Sequence, residues 1–99
     1  MKAYEHPDLN QVRLTQVMQA LSDPCRMTII KSLLNNQELA CNELPVDVAK
    51  ATLSHHVSVL RDAGLIRTRV EGTKCLNSLR QEAFEEHFPG LLDMLVNCE

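Results

Sequence analysis

The sequence predicts a mainly α-helical domain carrying one small β-hairpin, and three observations predict it. Several stretches space their apolar residues at helical intervals, a stretch after residue 64 alternates with period two, and the chain holds only three glycines and four prolines. Ninety-nine residues suffice for one hydrophobic core, so residues 1–99 are expected to form a single domain. With 44% hydrophobic and 23% charged residues, the composition is that of a soluble globular chain.

Leu14, Val17, Met18 and Leu21 fall at i, i+3, i+4 and i+7, the inward face of a helix expected from about Asp8 to Leu21. Ser22-Asp23-Pro24 then resets the chain: Asp23 suits an N-cap, and Pro24 suits the first helical position, where its missing N–H costs nothing. The next helix turns Met27, Ile30, Leu33 and Leu34 inward and stops at Asn35-Asn36. A short helix is expected from about Ala40 to Leu44, broken by Pro45. From about Val48 to Ala63, Leu53, Val57 and Leu60 mark the inner side of a longer helix, with His56 on the same side. Ala51, His55, Ser58 and Asp62 face the other way, and Gly64 serves as the C-cap glycine.

The period then changes. Ile66, Thr68 and Val70 alternate with Arg67, Arg69 and Glu71, Glu71-Gly72-Thr73 turns the chain, and Lys74 to Arg80 returns as the second strand. Phe84, Phe88, Leu91 and Leu95 restore helical spacing in the tail, which Pro89 is expected to kink or restart. A short helix, a tight turn, a second helix and a two-stranded ribbon make up the winged helix-turn-helix arrangement. The helix-turn-helix is expected at about 40–64 and the wing at about 66–80.

Charge is unevenly distributed. The whole chain carries −3, but Asp47 to Arg80 holds six basic residues (Lys50, Arg61, Arg67, Arg69, Lys74, Arg80) against three acidic ones, a local +3 on a body of −6. One basic face on an acidic body suits a polyanionic partner. No apolar run reaches the roughly 18 residues of a membrane span, and the opening MKAYEHPDLN has no apolar export core. A cytoplasmic location with reduced thiols at Cys25, Cys41, Cys75 and Cys98 is therefore expected.

Two stretches carry a family resemblance. Ala20-Leu21-Ser22-Asp23-Pro24-Cys25-Arg26, and Thr52-Leu53-Ser54-His55-His56-Val57-Ser58-Val59-Leu60-Arg61-Asp62-Ala63-Gly64-Leu65-Ile66, resemble the two signature stretches of the ArsR/SmtB family of bacterial repressors. Glu71-Gly72-Thr73 is similar to the wing turn, and Phe88-Pro89-Gly90-Leu91-Leu92 to a terminal-helix segment of one branch. The resemblance implies a homodimeric winged-helix repressor, dimeric through terminal helices at about 8–21 and 82–97. It would bind double-stranded DNA at an inverted repeat and leave it on a metal, metalloid or thiol-reactive signal.

A recognition helix reads base edges through short polar groups near its N-terminal half, which selects Lys50, Thr52, Ser54, His55 and Ser58. Arg67, Arg69 and Lys74 stand where a wing meets phosphates, and Arg61 either joins them or pairs with an acid in its own protein. Arg26 matches the family's motif arginine and is expected to be structural. His56 shares a face with Leu53, Val57 and Leu60, so it is expected to be partly buried and hydrogen-bonded. Neighbouring helical residues point about 100° apart, so His55 and His56 do not chelate one ion together.

No metal or cofactor site is expected. One inducer site of the family uses cysteines two apart in the short helix, where this chain has Ala40 and Asn42 around the lone Cys41. Another uses carboxylate and histidine pairs on the terminal helices. Here Glu82, Glu85, Glu86, His87 and Asp93 lack the paired histidine spacing. Cys25 and Cys98 remain as candidate sensor thiols: Cys25 lies at the positive end of a helix beside Arg26, an arrangement expected to favour the thiolate against Asp23, and Cys98 ends the terminal helix. No glycine-rich phosphate loop and no supported nucleophile–base set indicates an enzyme. Two other readings stay open: a constitutive DNA-binding regulator whose thiols are packing, and a thiol- or metal-binding interaction module that does not bind DNA. The residues do not identify an inducer.

Overall fold

A computed structural model describes residues 3–98. Its helices are α1 (Leu14–Ala20), α2 (Pro24–Leu34), α3 (Lys50–Asp62), α4 (Gln81–His87) and α5 (Leu91–Asn97). The strands are β1 (Leu39–Ala40), β2 (Ile66–Glu71) and β3 (Lys74–Leu79), joined as an antiparallel sheet in the order β1-β3-β2.

α2 and α3 follow the sequence closely because each carries its own boundary signals. The Asp23 carboxylate accepts the N–H groups of Cys25 (2.7 Å) and Arg26 (3.1 Å), with Pro24 in the first turn. At the far end of α3, the Gly64 N–H donates to Arg61 O and the Leu65 N–H to Leu60 O, a Schellman closure that needs the left-handed Gly64 (φ 80°). Val57 and Leu60 from α3, Ile29, Ile30 and Leu33 from α2, Ile66 from β2 and Phe84 from α4 meet in one core.

Four expectations need correction. The expected first helix, Asp8 to Leu21, is broken. A single 3-10 turn at Leu9–Gln11, capped by the Asp8 carboxylate on the Asn10 N–H, precedes an extended Val12, and α1 starts only at Leu14. Leu9 and Val12, on either side of the break, are both buried and lie against Gly64. Within α1, Val17 and Ala20 are buried while Leu14 and Met18 are 49% and 43% exposed, so half of the expected inward face lies outside this chain's core.

The short helix expected at Ala40 to Leu44 is a strand pair followed by one 3-10 turn, Cys41–Glu43. Leu39 and Ala40 pair with Asn77 and Leu76 of β3, and Glu43 Oε1 accepts the Ala40 N–H at 2.8 Å. The edge of β3 satisfies backbone groups that a five-residue helix leaves open. The hairpin is consequently a three-stranded sheet. The tail restarts at Pro89-Gly90, with Gly90 at φ 86° between α4 and α5.

Gly64 supports a prediction. Its positive φ is strained for any L side chain, and an added Cβ would overlap Leu9 Cδ2. Gly64→Ala is expected to cost about 2 kcal/mol or more, read as a lower urea midpoint with an unchanged slope.

Candidate nucleic-acid interface

α3 divides into two faces. Lys50, Ala51, Thr52, Ser54 and His55 are exposed and Ser58 is half-buried, whereas His56, Val57 and Leu60 are buried. Ala49 offers no side-chain cap, and the first turn contains no acidic residue. The first turn of this thirteen-residue helix therefore carries neither a side-chain cap nor a carboxylate, a disposition suited to a phosphate oxygen. Five of the sequence-selected residues thus share one surface.

The buried face holds the helix in place. His56 is 8% exposed, and its Nδ1 lies 3.1 Å from Arg26 Nη1. An arginine only donates, so Nδ1 accepts and the ring proton sits on Nε2. Arg26 Nε donates to Ala20 O at 2.6 Å, which makes this arginine a brace between the end of α1 and the middle of α3. Gln16 Nε2 donates to Asp62 O at 3.1 Å, fixing the other end of α3 to α1.

The wing is fastened to α3 by a buried polar chain. Arg61 Nη1 donates to Thr68 Oγ1 (3.1 Å), Thr68 Oγ1 donates to Asn77 Oδ1 (2.9 Å), and Asn77 Nδ2 donates to Leu39 O (3.3 Å). Asn77 is fully buried in the central strand. Arg61 also lies over the Tyr4 ring, 4.2 Å from its centre. Of the two roles open to Arg61, the contacts are with its own protein, through a hydroxyl and a ring rather than an acid.

The other wing cations divide similarly. Arg69 forks onto Glu38 with two 2.8 Å bonds and reaches Glu71 with a third, holding the Glu38 carboxyl below its ordinary range. Half-exposed, it has its charge balanced by two carboxylates. Arg67 and Lys74 are exposed, and among the described residues neither forms an ion pair. Arg80, not selected from the sequence, donates to Pro7 O at 2.8 Å, with burial and then Arg67 lowering its pKa. The roles of Glu38 and Thr68 as arginine partners, and of Asn77 as the partner of Thr68, escaped sequence reading because these contacts form only when the chain folds back on itself.

The thiols depart from expectation in one respect. Burial first and Asp23 second push the Cys25 thiol up, and Arg26 only partly opposes them, so the expected thiolate at the helix end is replaced by a neutral thiol. Cys41 Sγ accepts from Asn77 Nδ2, Cys75 Sγ meets Tyr4 Oη at 3.4 Å, and Cys98 is exposed. Cys25 gathers with Asp23 and His56, whereas the Cys98 carbonyl accepts from Lys31 Nζ at the other end of α2. All four cysteines are free.

These features match known regulators. Residues 21–69 match the helix-turn-helix domain family. The HTH-type transcriptional regulator YceK of Bacillus subtilis is 38% identical over 89 residues, covering 87% of this chain and 88% of the relative. The arsenical resistance operon repressor of Staphylococcus xylosus is 34% identical, covering 83% and 79%. A crystal structure of the ArsR family transcriptional regulator RHA00566 superposes with a TM-score of 0.68 at 28% identity, covering 87% of this chain and 98% of that one. The chain belongs to the ArsR family of winged helix-turn-helix transcriptional regulators. It is a DNA-binding regulator and not an enzyme. No helix among the described residues is long and apolar enough to cross a membrane.

Within this regulator the wing's outer edge depends on the N-terminal arm. His6 Nε2 accepts the Thr68 N–H at 2.9 Å on the free side of β2, which requires a neutral ring. Burial first, then Arg80, Arg67 and Arg61, lower the His6 pKa below its ordinary 6.5. A depressed folded-state value means that the unfolded chain takes up the proton first. The bond's stability is therefore complete above about pH 6.5 and declines as pH falls through the folded pKa. Urea unfolding of wild type and His6→Ala should give curves well separated at pH 8 that converge toward pH 5. Parallel curves would assign His6 no linkage.

Proposed function

We propose that the chain is a homodimeric repressor with an inverted-repeat operator, each α3 entering a major groove and each wing lying on the flanking phosphates. The observation that carries this reading is the two-faced α3, with Lys50, Thr52, Ser54, His55 and Ser58 outward and His56 locked to Arg26 inward. Base edges are read from the outward face, and Arg67 and Lys74 supply sequence-independent attraction. A two-fold dimer brings half-sites about one helical turn apart, near 34–36 Å. Leu14 and Met18 of α1 and Met94 and Val96 of α5, all between 43% and 59% exposed, are the apolar surface a second copy would cover. Such a regulator works beside the chromosome, in the cytoplasm.

Release from DNA by a thiol-reactive or metalloid signal at Cys25 and Cys98 is part of the same proposal. Exposure makes Cys98 the more accessible thiol, while the raised pKa of Cys25 slows its attack on oxidants. That slowing also favours a second reading, a constitutive regulator whose cysteines are packing.

One experiment addresses all of this: binding to a library of inverted repeats at two salt concentrations, with and without mild oxidant. Wild type should select an inverted repeat at two chains per duplex. Lys74→Ala should weaken binding to every sequence and lower the salt slope by about one, whereas His55→Ala should relax the preferred site by about 1–3 kcal/mol. Oxidant should release the wild type but not Cys25→Ser or Cys98→Ser. Release retained in both variants removes the thiol sensor, and oxidant-insensitive wild-type binding favours the constitutive reading. Absence of any selective, salt-dependent binding overturns the repressor.

A further inference from the structure

We propose that Asp23, Cys25 and His56 form a binding site for a borderline-soft divalent cation such as zinc, which takes His56 from Arg26 and ties the recognition helix to the start of α2. One ligand atom from each residue, namely a carboxylate oxygen, Sγ and an imidazole nitrogen, lies within 4.8 Å of the other two. Zinc bonds of about 2.0–2.3 Å place tetrahedral ligands about 3.3–3.8 Å apart, so the three atoms need to close on one another by at most about 1.5 Å. Carboxylate, thiolate and imidazole are a zinc donor set, and a water completes four-coordination. Hard cations that prefer all-oxygen shells are disfavoured here.

Each ligand is already aimed. Both backbone hydrogen bonds to Asp23 end on Oδ1, leaving Oδ2 for the ion without loss of the helix cap. His56 is buried, and the lone pair on Nδ1 is directed at α2, where it accepts from Arg26. Cys25 is half-buried in the first turn of α2 and free. On binding, the Cys25 S–H bond breaks, its electron pair goes to the ion and one proton leaves to solvent. The thiolate and Asp23 together balance the charge of the cation. Arg26 gives up His56 Nδ1 and keeps Ala20 O and Gln19 O at the end of α1.

The exchange alters how α3 is held. Without the ion, the Arg26 side chain links His56 both to the first turn of α2 and to the end of α1; with it, the ion joins His56 to Asp23 and Cys25 of that turn, and the link through Arg26 to α1 is released. His56 directly follows His55 and Ser54 on the outward face, so a shift at His56 is transmitted to the base-reading residues. The ion site stands on its own geometry, whereas its effect on DNA rests on the function proposed above.

Cobalt(II) titration of the reduced full-length chain tests the site without DNA. One cobalt per chain is expected, with a thiolate-to-cobalt charge-transfer band that zinc abolishes by displacement. Cys25→Ser should lose the band, and Asp23→Asn, which keeps an equally good N-cap, should bind at least about tenfold more weakly with unchanged helix content. A chain with Cys41, Cys75 and Cys98 all changed to Ser should retain the band. A folded wild type with no band, a band surviving Cys25→Ser, or full affinity in Asp23→Asn overturns the site. With zinc added, operator affinity should change about fivefold or more, and the change should vanish in Cys25→Ser. An unchanged affinity at saturating zinc overturns the coupling. A chain that binds cobalt as stated but no DNA leaves the site standing and removes the DNA reading instead.

Discussion

The guanidinium of Arg26 is the constraint on which the placement of α3 depends. It sits in the first turn of α2, placed there by the Asp23 cap, and it donates back to Ala20 O and across to His56 Nδ1. Three helices are thereby referred to one planar group whose donors have fixed directions. Because arginine cannot accept, the bond also sets the His56 tautomer. The orientation of α3, and with it the line of Ser54, His55 and Ser58, follows from a turn some thirty residues earlier in the chain. Apolar packing at Val57 and Leu60 presses α3 onto the core, but it is the directional bonds that select one rotation about the helix axis.

A second polar assembly sets the wing. Thr68 and Asn77 are cross-strand partners on β2 and β3, and their side chains bond in a buried layer entered from α3 by Arg61. Among the described residues no buried side-chain nitrogen or oxygen lacks a partner, which such a layer requires if it is not to weaken the fold. The cost is borne by charge: Arg26, Arg61, Arg69 and Arg80 all have partners within the protein, and the exposed cations of the interface are Lys50, Arg67 and Lys74. The basic third of the chain thus divides, residue by residue, between cations paired within the protein and cations left exposed.

Much of this was legible in the chain because it is local. Asp23-Pro24 and Gly64 mark helix ends through bonds to residues within five positions, and the change of period after Gly64 marks the hairpin. The inward placement of His56 followed from its neighbours Leu53, Val57 and Leu60. Where local signals were weak, long-range pairing prevailed. Residues 39–43 have too few positions to sustain a helix, so the open edge of β3 decided their conformation. Leu14 and Met18 obey the helical spacing yet remain exposed, since periodicity identifies an apolar face without saying whether the same chain covers it.

The family and the division of α3 into exposed and buried faces were determined by the sequence itself, through motifs and spacings that act over a few residues. Only the tertiary structure decided which arginines are paired within the protein, that Cys25 is a half-buried thiol with a raised pKa rather than a thiolate, and that it lies close to Asp23 and His56. The physical reason is common to all three. A pKa, an ion pair and a ligand set depend on distances of a few ångströms between atoms far apart in the chain, and those distances are set when α1, α2, α3 and the sheet close on one core.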